Sequence, residues 1–410
     1  MISLEIPEHD RWRILRDYYL LISKLWTPKN LDSAEYHPVK EFLAQEVSTW
    51  KTWCDKNGLN NAADYCERIE TVLNDSFYHQ TGTGMLLVLL GADFNTMKAI
   101  IQWMQTEMNA QYVSEKDLNG STTLLNSSKL QRDVFKYDYF RKSKYEFQQF
   151  LARFFREELG VTVCPYCNRN WITSVPGKKR TKQRGGITPP HIVPQQQGID
   201  IKPLITPQVD HYFPKVTYPY LALSLFNLVP SCPTCNNRKH EFDTAQKSQW
   251  QWYPYEHEHC GSIWFQLNLD DYLDLSALAF ADLHSFHAVG HDEDILNIIS
   301  SSDDPISRLE LKRLYRSHIR EVQKTVFRIM EYYHPYWDLL PKNDTPDEPL
   351  ENALNQLRMR FDQQRKAYLL QGADWDERLK VTPLGKMKHD LGEQLLYNDW
   401  EKSDNSDSPS

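Results

Sequence analysis

Two pairs, Cys164-Pro-Tyr-Cys167 and Cys232-Pro-Thr-Cys235, stand 64 residues apart in this chain. A C-x-x-C turn presents two thiolates at one corner of a tetrahedron, and two such turns complete a four-cysteine zinc site. The separation exceeds that of a compact zinc ribbon, so the intervening segment must return on itself. Redox chemistry would need one pair only, in a thioredoxin-like setting that is missing here. Seven cysteines in 410 residues are too few for a disulfide framework. Cys54 and Cys66 stand apart from the pairs and read as small buried hydrophobes. Structural zinc at Cys164, Cys167, Cys232 and Cys235 is the expectation, in a region with little core of its own.

The flanks read differently. Residues 1–150 carry helical periodicity at Trp12–Trp26, at Asn95–Met108 with Asn95 as N-cap, and at Lys144–Leu159, which runs into the first Cys pair. Residues 261–400 read as mainly helical, with one long helix over Asp304–Tyr333 and a strand in the "SIWFQLNL" run. The polar residues 401–410 read as a disordered tail. The expected architecture is α+β and mostly helical, with a zinc-stapled middle unit (151–260) set between two helical regions.

Charge singles out the same middle unit. Val161–Trp250 holds 11 Lys/Arg and 4 Asp/Glu, a local +7 in a chain of net −8. A confined anionic partner suits that pattern better than overall coating by polyanion. Residues 176–198 are rich in Pro, Gly and Gln, carry the basic run Lys178–Arg184, and read as a mobile insertion. Arg308, Lys312, Arg316, Arg320 and Lys324 recur every four residues, which makes either a solvated helix face or a nucleic-acid track. "HEHC" at 257–260 lacks a standard metal spacing. The apolar run Met85–Ala92 is far too short to span a bilayer and reads as buried helix or strand. With no secretory signal at its start, the chain is expected in the cytoplasm, away from membranes.

Between the Cys pairs lies "QVDHYFPK", Gln208–Lys215, which overlaps the run "TPQVDHYF" (206–213), read as a strand. Asn227 follows His211 by 16 residues, and Asn236 follows by another 9, directly after the last Cys; a helix is expected to begin there. The order C-x-x-C, D-H-x-x-P-K, N-L-x-x-x-C-x-x-C-N-x-x-K-H resembles the HNH endonucleases, whose catalytic unit is a ββα-metal finger. The likeness runs from Cys164 to His240, about a fifth of the chain. It implies a two-strand hairpin and a helix around one divalent cation, with phosphodiester hydrolysis as the activity. His211 becomes the candidate general base, since a neutral imidazole can take a proton from water. Asp210, on the opposite side of the strand, would bind a hard cation, Mg2+ or Mn2+. By resemblance, Asn236 supplies a second oxygen and Asn227 holds the loop that positions His211. Many HNH sequences carry His where this chain has Asn236, and His240, one helical turn on, is the alternative ligand. Lys215, Arg238, Lys239 and His240 are the candidate contacts to backbone phosphates.

The stretch from Tyr218 to His240 is also similar to the HNH nuclease subunits of bacterial Septu-type anti-phage modules, which occur beside some retrons. There the nuclease works with a separate ATPase subunit, and no Walker-type phosphate loop occurs in this chain. The resemblance thus implies a defence effector acting on DNA, with an ATPase partner. An RNA-cleaving effector and a non-catalytic zinc-stapled binding module are the alternatives. A zinc deaminase is disfavoured, since no His-x-Glu precedes either P-C-x-x-C in the required arrangement.

Overall fold

A computed structural model describes residues 2–74, 84–121, 123–177, 201–245, 252–256, 263–267, 296–300, 303–326 and 379–397. The basic run Lys178–Arg184, the "HEHC" segment and the tail lie outside these residues. Among the described residues, the architecture is mostly helical with four small two-stranded sheets.

The N-terminal part is built from α1 (Glu8–Leu25), α2 (His37–Ala44), α3 (Val47–Lys56), α4 (Asn60–Asn74), α5 (Gly84–Gly91) and α6 (Phe94–Thr106). The Met85–Ala92 run becomes α5, and every residue from Met85 to Gly91 is buried, as an all-round apolar helix must be. Gly91 lets it sit close: a Cβ there would stand 3.2 Å from a Leu15 methyl. No helix among the described residues is long and apolar enough to cross a membrane.

Two details differ from the sequence expectations. The N-cap of α6 is Asp93 rather than Asn95, its carboxylate accepting the Thr96 N–H at 2.8 Å. The helix expected over Asp304–Tyr333 is interrupted. Asp303–Arg308 and Leu311–Arg316 are separate helices, and residues 319–326 form a third piece. Glu310 takes φ +51° at the first break, a backbone state no helix interior accommodates. The five cations at four-residue intervals therefore do not share one continuous stripe.

After the short parallel pair β1 (Tyr112–Val113) and β2 (Leu125–Asn126), the chain forms α7 (Ser127–Leu130), a π-helical turn over Gln131–Phe135, α8 (Tyr137–Ser143) and α9 (Tyr145–Arg153). A second π-helical turn, Phe154–Glu158, completes the helix expected there. The central unit follows with β3 (Ser174–Val175) paired to β4 (Leu204–Ile205), then β5 (Gln208–His211), β6 (Leu228–Ser231) and α10 (Pro233–Lys239). Strands β5 and β6 are antiparallel, with Asp210 opposite Val229 and His211 opposite Leu228. Their connection is long and apolar, and it is buried from Tyr218 to Asn227.

Beyond lie β7 (Ile263–Leu267) and β8 (Leu296–Ser300), paired antiparallel, and the C-terminal helix Gly385–Tyr397. That helix caps β7 with side chains four residues apart: Asp390 accepts the Phe265 N–H, and Gln394 bonds both backbone groups of Leu267. Among the described residues, buried apolar side chains from Ile2 to Leu391 form one contacting cluster, which includes residues on both sides of the boundary expected near residue 150.

Candidate functional site

The four cysteines converge. Their sulfurs all lie within 4.8 Å of one another and all four residues are buried. Cys167 and Cys232 sulfurs are 3.9 Å apart. A disulfide would need about 2.0 Å, whereas a tetrahedron of Zn–S bonds near 2.3 Å has edges of about 3.8 Å. The donor set therefore suits zinc. The first knuckle is closed by a bridge between Val163 and Trp171. The second opens α10, with Cys232 as N-cap accepting the Cys235 N–H and Pro233 in the first turn. Hydrogen bonds from the neighbouring cysteines, with help from the Asn170 amide at 3.3 Å, hold the Cys232 thiol below its ordinary range. The expected helix at Asn236 thus starts earlier, at Pro233, and ends at Lys239.

Alternation along β5 puts Gln208 and Asp210 on one face and Val209 and His211 on the other. On the first face α10 lies close. Asn236, one turn before Lys239, donates from Nδ2 to Gln208 Oε1 at 2.7 Å. Lys239 donates to Asp210 Oδ1 at 3.1 Å and to the His211 carbonyl at 2.9 Å. The other Asp210 oxygen accepts the Tyr166 hydroxyl at 2.6 Å. Tyr166 lies inside the first C-x-x-C and Lys239 four residues past the second. The two cysteine turns thus hold both arms that grip the carboxylate.

Lys239 departs from its expected role. It is 0% exposed, so it is an internal counter-charge to Asp210 rather than a phosphate contact. Asp210 is itself 4% exposed. An ionised carboxylate has about four lone-pair sites, and two are taken here. Asn236 reaches the same face of β5 through Gln208, and a carboxylate and an amide oxygen fit a hard cation in kind. Such an ion would have to displace or outbid the Lys239 ammonium.

On the other face His211 donates from Nε2 to the Ala222 carbonyl at 3.1 Å. That bond sets the tautomer and leaves the lone pair on Nδ1, which is not among the sealed, unpartnered atoms of the described residues. Burial, reinforced by the nearby Lys215 charge, lowers the imidazole pKa to about 3, so the ring is neutral at ordinary pH. The Tyr137 ring meets it edge to face with centroids 4.6 Å apart.

Asn227, fully buried, closes the loop around this histidine. Its Oδ1 accepts the Phe213 N–H at 2.7 Å, while Nδ2 donates to the carbonyls of Phe213 and Leu221 at 3.1 and 3.0 Å. Phe213 is two residues past His211, and Leu221 adjoins the Ala222 acceptor. A single amide therefore joins the strand end to the residue just before the one whose carbonyl orients His211. The N-terminal part grips the same loop: Gln131 and Ser127 donate to the Lys215 carbonyl.

The remaining expected phosphate contacts lie at the rim. Lys215 bonds the Asp138 carboxylate at 2.8 Å. Arg238 pairs with Glu310. His240 is exposed, ending α10 at φ +48°. Sequence reasoning did not find Tyr166, Tyr137 or the Ala222 carbonyl. Position inside the C-x-x-C was a signal for Tyr166, but nothing local marks the other two. Comparisons of the chain with protein-family models, curated proteins and solved structures find no match.

Proposed function

We propose that the chain is a metal-dependent HNH-type endonuclease that hydrolyses phosphodiester bonds of nucleic acid, with DNA the favoured substrate. The observation that carries this reading is His211: a neutral imidazole with Nε2–H committed to Ala222 and its lone pair on Nδ1. The fixed tautomer with an uncommitted Nδ1 is the geometry that proton abstraction from water calls for; burial and the Lys215 charge make the ring a weak base in the free protein, and the negative charge of a phosphate drawing Lys215 away would raise its basicity. The hairpin β5–β6 followed by α10, with Asp210 beside the base and Asn227 bracing the loop, supports the same reading.

His211 Nδ1 would take the proton of the attacking water. Asp210 and Asn236 would hold Mg2+ or Mn2+, with Lys239 yielding its place as counter-charge. When bound, the ion supplies Lewis-acid stabilisation of the phosphate and of the departing oxygen. Lys215, Arg238 and His240 at the rim are placed to exchange their surface pairings for backbone phosphates. Zinc at the four cysteines has the separate task of fixing Tyr166 and α10. By the resemblance of its central segment, the chain acts as an effector of bacterial anti-phage defence together with a separate ATPase subunit.

The test is incubation of purified protein with Mg2+ or Mn2+ and supercoiled plasmid, linear duplex, single strands and tRNA, with and without an ATPase partner. Wild type is expected to nick or cut DNA. His211→Ala is expected to bind it equally but to cleave roughly 10²–10⁴-fold more slowly, the usual value of a general base. Cleavage of tRNA alone would move the substrate to RNA. Binding without cleavage, or equal cleavage by both proteins, would leave a zinc-stapled binding module and end the nuclease reading.

A further inference from the structure

Tyr137 is buried, and its hydroxyl has neither a hydrogen-bond partner nor contact with solvent. Among the described residues only one other tyrosine hydroxyl, that of Tyr112, is left so. A buried polar atom without a partner calls for an explanation, since nearly all such atoms are bonded. Packing does not require it, because phenylalanine would fill the same volume.

The position suggests what the hydroxyl serves. Lys136 takes φ +54° after the π-helical turn, and this bend delivers Tyr137 into the wall of the site. The ring then stands edge to face against His211 at 4.6 Å. Lys215 lies over this ring, 5.5 Å from its centre, bonded to Asp138, the next residue in the chain. Burial keeps the phenol protonated, with Arg141 opposing the effect and the Asp138 and Asp210 charges adding to it. The group is therefore a neutral O–H donor at any working pH, on a buried ring that touches both His211 and Lys215.

We propose that Tyr137 is a catalytic residue of the cleavage proposed above, its O–H donating to a non-bridging oxygen of the phosphate brought against His211. The inference rests on the nuclease reading. The hydroxyl is sealed in the free protein, so a phosphate must first draw Lys215 away from Asp138 and uncover it; charge then builds on the phosphate oxygens as water attacks. A fixed neutral donor in a low-dielectric site is most effective where such charge develops. No proton leaves Tyr137. The water's proton goes to His211, the P–O bond to the leaving group breaks, and the hydroxyl only bonds the oxygen that becomes more negative.

Tyr137→Phe separates this role from packing. It keeps the ring against His211 and removes a hydroxyl that bonds nothing in the free protein. Its melting temperature should equal or exceed that of wild type, and its affinity for a fluorescent oligonucleotide should be unchanged. Its kcat with Mg2+ should fall roughly 10²-fold, the usual loss for one such donor, with KM unaltered. Tyr137→Leu, which removes the ring as well, should cleave more slowly still and melt lower. Wild-type cleavage by Tyr137→Phe would overturn the proposal while leaving the nuclease reading intact, and so would a loss that tracks a lowered melting temperature. No cleavage by wild type would remove the nuclease reading, and this inference with it.

Discussion

Asp210 accepts two hydrogen bonds in a nearly dry seam, and the balance of charge there is held by one residue, Lys239. Burying both ions costs solvation that their attraction only partly returns, but removing one partner leaves the other charge uncompensated. Lys239→Met should therefore destabilise the protein by about 3–5 kcal/mol in urea unfolding without divalent metal. If Asp210 and Asn236 form a cation site, Mg2+ or Mn2+ should restore much of that loss, because an ion that binds only the folded state stabilises it. A variant indifferent to either ion would argue against a metal at Asp210. Asn227 shows the complementary economy at this scale. It has no charge to neutralise, and its three short bonds are all to backbone, so its amide is spent on loop geometry alone.

At the scale of elements, α10 is seven residues long, too short to be stable alone. Its first turn belongs to the zinc knuckle and its last delivers Lys239. The first knuckle is tied outward as well: Asn168 bonds Leu379 and Thr382 through its amide, and Tyr315 donates to the Cys167 carbonyl at 2.6 Å. Purified protein should contain about one zinc per chain. Cys232→Ser with Cys235→Ser should release it and lower the melting temperature by roughly 4–6 °C, about what a loss of 3–5 kcal/mol produces in a chain this size. Retention of zinc by the double variant, seen by elemental analysis, would rule out the four-cysteine centre. The C-x-x-C spacing made this element legible in advance. The start of α10 was not, because Cys232 serves as N-cap and ligand together, and a cysteine is not an ordinary capping residue.

At the scale of the whole molecule, the central unit is held by the N-terminal helices. The β5–β6 connection buries its apolar side chains against N-terminal helices, with Tyr18 donating to the Leu223 carbonyl at 2.7 Å and Ser224 to that of Leu89 at 2.6 Å. Residues 151–260 expressed alone with zinc should therefore fail to give a cooperative melt or native-like chemical-shift dispersion, whereas the full chain does. A well-dispersed spectrum from the fragment would restore the separate unit that composition suggested. Charge asymmetry and the change in periodicity near residue 150 marked where the four-cysteine unit begins. They carried no information on where the packing divides.

Local spacing determined the two cysteine pairs, the strand that carries Asp210 and His211, and the helical character of the flanks, because each depends on residues near one another in the chain. Only the tertiary structure decided that Tyr166 and Lys239 bind Asp210, that Ala222 sets the tautomer of His211, and that Tyr137, 74 residues upstream of that histidine, forms the wall beside it. Those pairings depend on which surfaces exclude water from one another. That is a property of the packed core rather than of any stretch of sequence.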